Sequence, residues 1–252
     1  MTTSDSSIDP AAELDGLPVI LAKNRGSRNA PPNLIVVHTM ESPEKTGAAR
    51  GSATWHASGN TIGSAHVHVD DKETIRGVPD DQRANGAAGA NSQGLHVEIA
   101  GQAGQSAADW HDAFSQAALE RAAHVVAAWC VRFSIPAKKV ESADIRSGKS
   151  GITGHVNVSE AYGQSTHWDP GPNFPWDEFL ARVNQLIQGD GLDMTADELR
   201  QIIREEVRAE LTRAAFDNPK GPDGVLMAAM KTAVAKTLAT RLSPDVLKPR
   251  GE

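Results

Sequence analysis

Between Gly154 and Trp176 the chain reads Gly-His-Val-Asn-Val-Ser-Glu-Ala-Tyr-Gly-Gln-Ser-Thr-His-Trp-Asp-Pro-Gly-Pro-Asn-Phe-Pro-Trp. Asp169-Pro170-Gly171-Pro172, near the end of this segment, is dense enough in Gly and Pro to read as a stiff loop. The segment brings His155, His167 and Asp169 close together. Far upstream the apolar run Leu34-Ile35-Val36-Val37 ends directly in His38. A run of this kind reads as a buried strand, and strand C-termini are where α/β sheets build their sites.

Taken alone, each of these residues has a plainer reading. His38 fits a core imidazole satisfied by a backbone carbonyl. His155, after Thr153-Gly154, sits at a turn that a glycine would permit. Asp169 before Pro170 fits an Asx-type turn. Together, His38, His155 and Asp169 form a nitrogen and oxygen set that suits zinc. Catalytic zinc uses about three protein ligands and keeps one position open, which points to metal-assisted hydrolysis. Such chemistry needs a carboxylate to take a proton from water, and Glu98 is the candidate. In the strand Leu95–Ile99, alternation puts His96 and Glu98 on one face and Leu95, Val97 and Ile99 on the other. A solvent-facing strand Glu is the competing reading.

The rest of the chain predicts an α/β protein. Gly63–Asp70 alternates, with Ala65, Val67 and Val69 on one face and His66 and His68 on the other, as in a half-buried strand. His66 is expected in a structural or substrate-contact role. A hairpin follows through Asp70–Ile75, and Ala84–Gly94 is a loop of small residues. Ser42–Gly51 reads as a surface loop and Ser52–Ser58 as a short helix. Ala107–Phe133 is predicted as one long helix, ended by Ile135-Pro136, and Phe174–Ile187 as another. Cys130, the single cysteine, lies within Val125–Val131 and reads as a core residue rather than a nucleophile or ligand. His56, His111 and His124 read as surface or core histidines.

With a formal charge of −7, the chain is not expected to bind nucleic acid. No apolar stretch approaches the roughly 18 residues of a membrane span. The polar N-terminus has neither a basic nor an apolar signal region, so the expected location is the cytoplasm.

At this point the residues resemble a family. Gly154-His155 followed by His167-Trp168-Asp169-Pro170-Gly171-Pro172-Asn173-Phe174-Pro175-Trp176 is similar to the signature of zinc-dependent N-acetylmuramoyl-L-alanine amidases. These share a fold with peptidoglycan recognition proteins and many phage endolysins. Ile35–Thr39, Ser64–Asp70 and Gly94–Ile99 resemble three further family strands, in the family's order, so the likeness covers about residues 34–187. It implies a central mixed β-sheet flanked by helices. It implies Zn2+ held by His38, His155 and Asp169, with Glu98 as general base and His167 polarising the scissile carbonyl. The implied substrate is the amide joining the lactyl group of muramic acid to L-alanine in bacterial peptidoglycan. The chain departs from the family in the loop Ala84–Gly89, which lacks a Trp-His-Ala-Gly element that often contacts substrate. The stretch Val156–Thr166 reads as a longer loop than usual.

The catalytic domain is expected to span 1–189, and composition changes near Gly189–Asp193. Residues 193–252 are expected to form a C-terminal helical region. Thr195-Ala196-Asp197-Glu198 is a capping box. Two apolar stripes follow, Leu199/Ile203/Val207/Leu211 and Leu226/Met230/Val234/Leu238. Their role stays open between self-association or a helical hairpin, cell-wall targeting, and neither. The arrangement is similar to a phage endolysin, made in the host cytoplasm and passed to the wall through a holin-opened membrane. A non-catalytic peptidoglycan-binding module and a cytoplasmic muropeptide-recycling amidase are the alternatives.

Overall fold

The computed structural model describes Leu14 and residues 16–188. The chain opens with strands β1 (Arg25–Ser27) and β2 (Leu34–Thr39), then helix α1 (Ala48–Ser58). Strands β3 (Val67–Val69), β4 (Thr74–Arg76), β5 (Gln82–Ala84) and β6 (Gly94–Ile99) follow. Helices α2 (Ala107–Trp110), α3 (Ala113–Phe133) and α4 (Ser142–Arg146) lead to strand β7 (Gly151–Gly154) and helices α5 (His155–Tyr162) and α6 (Trp176–Ile187). Nearly all of this belongs to one unit, Pro10–Ile187. The C-terminal helical region expected at residues 193–252 lies outside the described residues, as does any role for it.

Five strands form one sheet in the order β4-β3-β6-β2-β7. β3, β6, β2 and β7 run parallel, and β4 pairs antiparallel with β3. The sheet is therefore mixed and helix-flanked, as expected. β1 and β5 make a separate two-stranded ribbon. All six residues of β2 are buried, because an interior parallel strand of such a sheet is covered on both faces.

The two faces have different work. Ile35, Val37, Val67, Leu95, Val97 and Ile152 pack against α3 and α6 through Val126, Trp129, Phe179 and Val183. Each fully buried branched side chain contributes roughly 1.5–3 kcal/mol by leaving water, so this face is the main source of stability. On the other face, Leu34 and Val36 pack with Val140, Ile145 and Val158. Further along the same face, the residues become His38, His96 and Glu98.

Asp70 joins three elements. It is fully buried, and its carboxylate accepts from the backbone N–H groups of Gly47, Ala49, Lys72 and Glu73 at 2.8–3.0 Å. It thereby supplies the N-terminal anion that α1 lacks in its own first turn, where unpaired N–H groups and the helix dipole favour one. It also closes the β3–β4 turn.

Several elements differ from the sequence reading. The strand after Gly63 is only three residues long and buried on both faces, not half-buried. Its alternating polar residues meet protein partners in place of water: His68 Nδ1 lies 3.1 Å from Ser52 Oγ on α1. α1 starts at Ala48, four residues before the expected Ser52. The single helix over Ala107–Phe133 is two helices. Asp112 caps the second, its side chain accepting from Ser115 N at 2.8 Å, a local bond that outcompetes helix continuation. α6 begins at Trp176, not Phe174, and most of the expected loop after His155 is α5. Cys130 is buried, and burial pushes its thiol up to about 12, as suits a core residue. No helix among the described residues is long and apolar enough to cross a membrane.

Candidate metal centre

Three parallel strands end at the same edge of the sheet, and each delivers a polar residue there. β2 supplies His38. β6 supplies Glu98, paired in register with His38. β7 passes through Gly154 directly into α5, whose first residue is His155. The Asp169 loop then folds back over this edge. Its carbonyl accepts from Val156 N at 3.0 Å, satisfying a first-turn N–H of α5. The helix that carries one candidate ligand is thus tied to the loop that carries another. Gly171 sets the path of that loop. It has φ +91°, and a Cβ there would lie 1.9 Å from Ala103 O, so no other residue fits the turn without displacing the neighbouring chain.

His38, His155 and Asp169 are all buried, and their ligand atoms lie within 4.8 Å of one another. Among the described residues they are the single group of three or more metal-ligating side chains so arranged. His38 Nδ1 is 3.0 Å from Asp169 Oδ2, and His155 Nδ1 is 3.2 Å from Asp169 Oδ1. Burial by itself would raise the Asp169 carboxyl. Hydrogen bonds from His155 and His38, with their charge, outweigh it and hold the group well below the usual carboxylate range. Burial first, and then His38, lower His155 despite its bond to Asp169. An ionised Asp169 beside a lowered His155 is the state in which these two side chains can bind a metal. Two nitrogens and one oxygen, enclosed and convergent, fit zinc with a position left for water.

Glu98 is half-buried beside this group. Burial, then the charges of Asp169 and Glu41, raise its carboxyl well above the ordinary value. The solvent-facing strand Glu is therefore not what the fold makes. His167 lies at the open side, 65% exposed, with Nδ1 3.8 Å from Asp169 Oδ1. His66 is not brought to the site. It is fully buried, its Nδ1 accepts from His96 N at 3.0 Å, and its Nε2 lies 3.1 Å from Gln82 O. No atom is left for the substrate contact expected of it, and its surroundings give it a structural role.

Two residues at the site carried no assigned role in the sequence. Glu41 accepts from Thr39 Oγ1 at 2.5 Å and from Ala103 N at 2.9 Å, and its charge acts on Glu98. His96 Nδ1 lies 3.1 Å from His38 Nε2. The alternation already put His96 on the face of Glu98, which is the one signal that could have found it. A cavity of about 460 Å3, lined by Leu17, Thr74, Glu120, Arg121, His124 and Val125 among others, contains none of these residues.

The fold is thus a helix-flanked mixed sheet with a candidate metal site at the C-terminal ends of its parallel strands. Residues 28–172 match the N-acetylmuramoyl-L-alanine amidase family, and the chain belongs to that family. The Staphylococcus aureus hydrolase AmiA, solved in complex with its ligand, aligns with a TM-score of 0.55 at 20% identity, over 68% of this chain and 82% of its own. That likeness shows a shared fold. An AmpD derivative gives a TM-score of 0.47 at 20% identity, over 73% of this chain and 99% of its own. The endolysin N-acetylmuramoyl-L-alanine amidase LysCS from Clostridium intestinale gives 0.45 at 17%, over 67% and 97%. No curated protein matches the chain.

Proposed function

We propose that this amidase cleaves the bond between the lactyl group of N-acetylmuramic acid and L-alanine in peptidoglycan, with zinc held by His38, His155 and Asp169. The observation that supports it most is the pairing of a complete buried ligand set with Glu98, in register beside His38. When bound, zinc supplies the Lewis acidity that polarises an amide carbonyl and makes water acidic near neutral pH. Glu98 takes the proton of the attacking water and passes it to the leaving amine of L-alanine. Its raised carboxyl suits it to both transfers. His167 donates a hydrogen bond to the carbonyl oxygen as charge grows there. The exposed indole of Trp168, between His167 and Asp169, offers an apolar face to the sugar ring.

On this reading the enzyme is an endolysin acting on intact wall from outside the membrane, having reached it from the host cytoplasm when a holin opens the way. Residues 193–252, beyond the family match, support a lytic enzyme with an accessory region over a compact recycling enzyme. A filled ligand set with Glu98 and His167 in place argues against a module that only binds.

The test is elemental analysis for zinc, a turbidity assay on purified peptidoglycan, and mass spectrometry of the products. Stoichiometric zinc with free stem peptides that begin at L-alanine is expected. Zinc without cleavage of any muropeptide would remove the catalytic reading. Cleavage of soluble muropeptides but not of sacculi would replace the endolysin with a recycling amidase.

A further inference from the structure

We propose that His96 positions His38 for metal binding: it accepts a hydrogen bond from His38 Nε2–H, which leaves the Nδ1 lone pair of His38 facing His155 and Asp169. The inference rests on the metal-centre reading above and concerns what makes that centre competent.

A neutral imidazole has one N–H donor and one acceptor nitrogen. His38 presents Nδ1 to Asp169 at 3.0 Å and Nε2 to His96 Nδ1 at 3.1 Å. Two proton arrangements keep the His38–His96 hydrogen bond, and only the first also makes one to the Asp169 carboxylate. In one, His96 Nδ1–H donates to His38 Nε2, and His38 Nδ1–H donates to Asp169. His38 then has no lone pair for a metal. In the other, His38 Nε2–H donates to His96 Nδ1, and His38 Nδ1 is free. The second arrangement is the ligand form, and it requires an acceptor where His96 stands.

The second arrangement puts the remaining proton of His96 on Nε2. That atom is buried and has no hydrogen-bond partner. An unpaired buried donor destabilises a fold, and an aliphatic side chain would fill the same space without that penalty. The imidazole is therefore kept for its other nitrogen.

The surroundings are shaped for this ring. A Cβ at Gly86 would lie 2.5 Å from His96 Cγ and Nδ1, and one at Gly94 would lie 2.8 Å from His96 Nε2. The small-residue loop Ala84–Gly94 thus makes room for His96. His66 holds it from the other side. The His96 peptide N–H donates to His66 Nδ1, and His66 N donates to His96 O, each at 3.0 Å. A peptide N–H can only donate, so His66 Nδ1 accepts, while its Nε2 lies 3.1 Å from Gln82 O and 3.0 Å from Arg28 Nη2. The two rings stack with centroids 5.6 Å apart and planes 18° from parallel.

The experiment measures zinc dissociation constants by competition with a chromophoric chelator, for the wild-type chain, His96→Leu and His96→Asn. Asn keeps an acceptor near the position of Nδ1 and Leu does not. His96→Leu is expected to bind zinc about 10–100-fold more weakly, and His96→Asn to recover to within a few-fold of wild type. A folded His96→Leu protein with wild-type zinc affinity overturns the proposal. Long-range 1H–15N NMR of the zinc-loaded wild type gives a reading that needs no variant to fold. Protons on His38 Nε2 and His96 Nε2 are expected, and a proton on His96 Nδ1 overturns the proposal. A wild-type chain that takes up no zinc removes the metal-centre reading itself, and this one with it.

Discussion

His155 and His167 stack face to face, with ring centroids 4.5 Å apart and planes 9° from parallel. One ring is buried among the candidate ligands and the other is exposed at the mouth of the site. The stack holds His167 beside the candidate ligands without making it one of them. His167→Ala should therefore retain stoichiometric zinc while its kcat falls about 10²-fold or more, the usual effect of removing one donor to a developing oxyanion. Loss of zinc in that variant would make His167 a ligand instead, and wild-type kcat would leave it without a role.

Glu98 separates catalysis from stability. Glu98→Gln should keep zinc and lose turnover by about 10²–10⁴-fold, the range for a positioned acid–base group. The same change should stabilise the metal-free protein. Because the folded carboxyl is raised above its ordinary value by burial, Asp169 and Glu41, its contribution is intact below the ordinary glutamate range. It is lost as pH rises through the raised value. Glu98→Gln should thus raise the thermal midpoint at pH 8 and leave it nearly unchanged at pH 4. An equal shift at both pH values would mean that packing, not charge, is responsible.

The acid side of the stability curve belongs to the buried histidines. Burial, and then the charge of Arg28, push His66 down to about 3, and burial is likewise the leading cause that lowers His68 and His96. Lowered groups contribute stability above their unfolded value near 6.5, and that stability is lost as pH falls below it. Unfolding free energy of the metal-free protein should fall between pH 6.5 and about 3. The slope should be roughly 1.4 kcal/mol per pH unit for each proton taken up on unfolding. Urea titrations at pH 7, 6 and 5 measure it. A flat profile would show that these rings titrate normally and are not sealed in the fold.

Why some of this was legible in the sequence is itself physical. His38, His155 and Asp169 announce themselves because each follows or precedes a local constraint: the end of an apolar run, a glycine, a run of prolines. The faces of β6 were readable because strand alternation is a local property. The role of His96 was not, since its partners His38 and His66 come from the neighbouring strands β2 and the residue before β3. The burial of both faces of β3 was hidden for a related reason. Alternation says which residues share a face, while the cover supplied by α1 and its bond from Ser52 to His68 is a tertiary fact. The break between α2 and α3 was visible in principle, because Asp112 three residues before Ser115 is a local cap. The apolar periodicity on either side concealed it.

Gly171 offers the sharpest test of how the loop builds the centre. Its backbone is left-handed, and the nearest atom to an added Cβ would be a carbonyl oxygen at 1.9 Å, not a flexible side chain. Gly171→Ala must therefore move either the Asp169 loop or the chain at Ala103. Adopting positive φ costs a non-glycine residue on the order of 1 kcal/mol, and the clash adds to it. Asp169 lies two residues upstream, and Glu41, which accepts from Ala103 N, lies across the contact. We expect lower thermal stability together with weaker zinc binding, whereas Gly163→Ala, whose added Cβ would meet no atom within 4 Å, should lose some stability and keep its zinc affinity. Calorimetry and chelator competition on the two variants decide it. If Gly171→Ala loses stability but binds zinc as wild type does, the loop tolerates the displacement and Asp169 is held by its histidine partners alone.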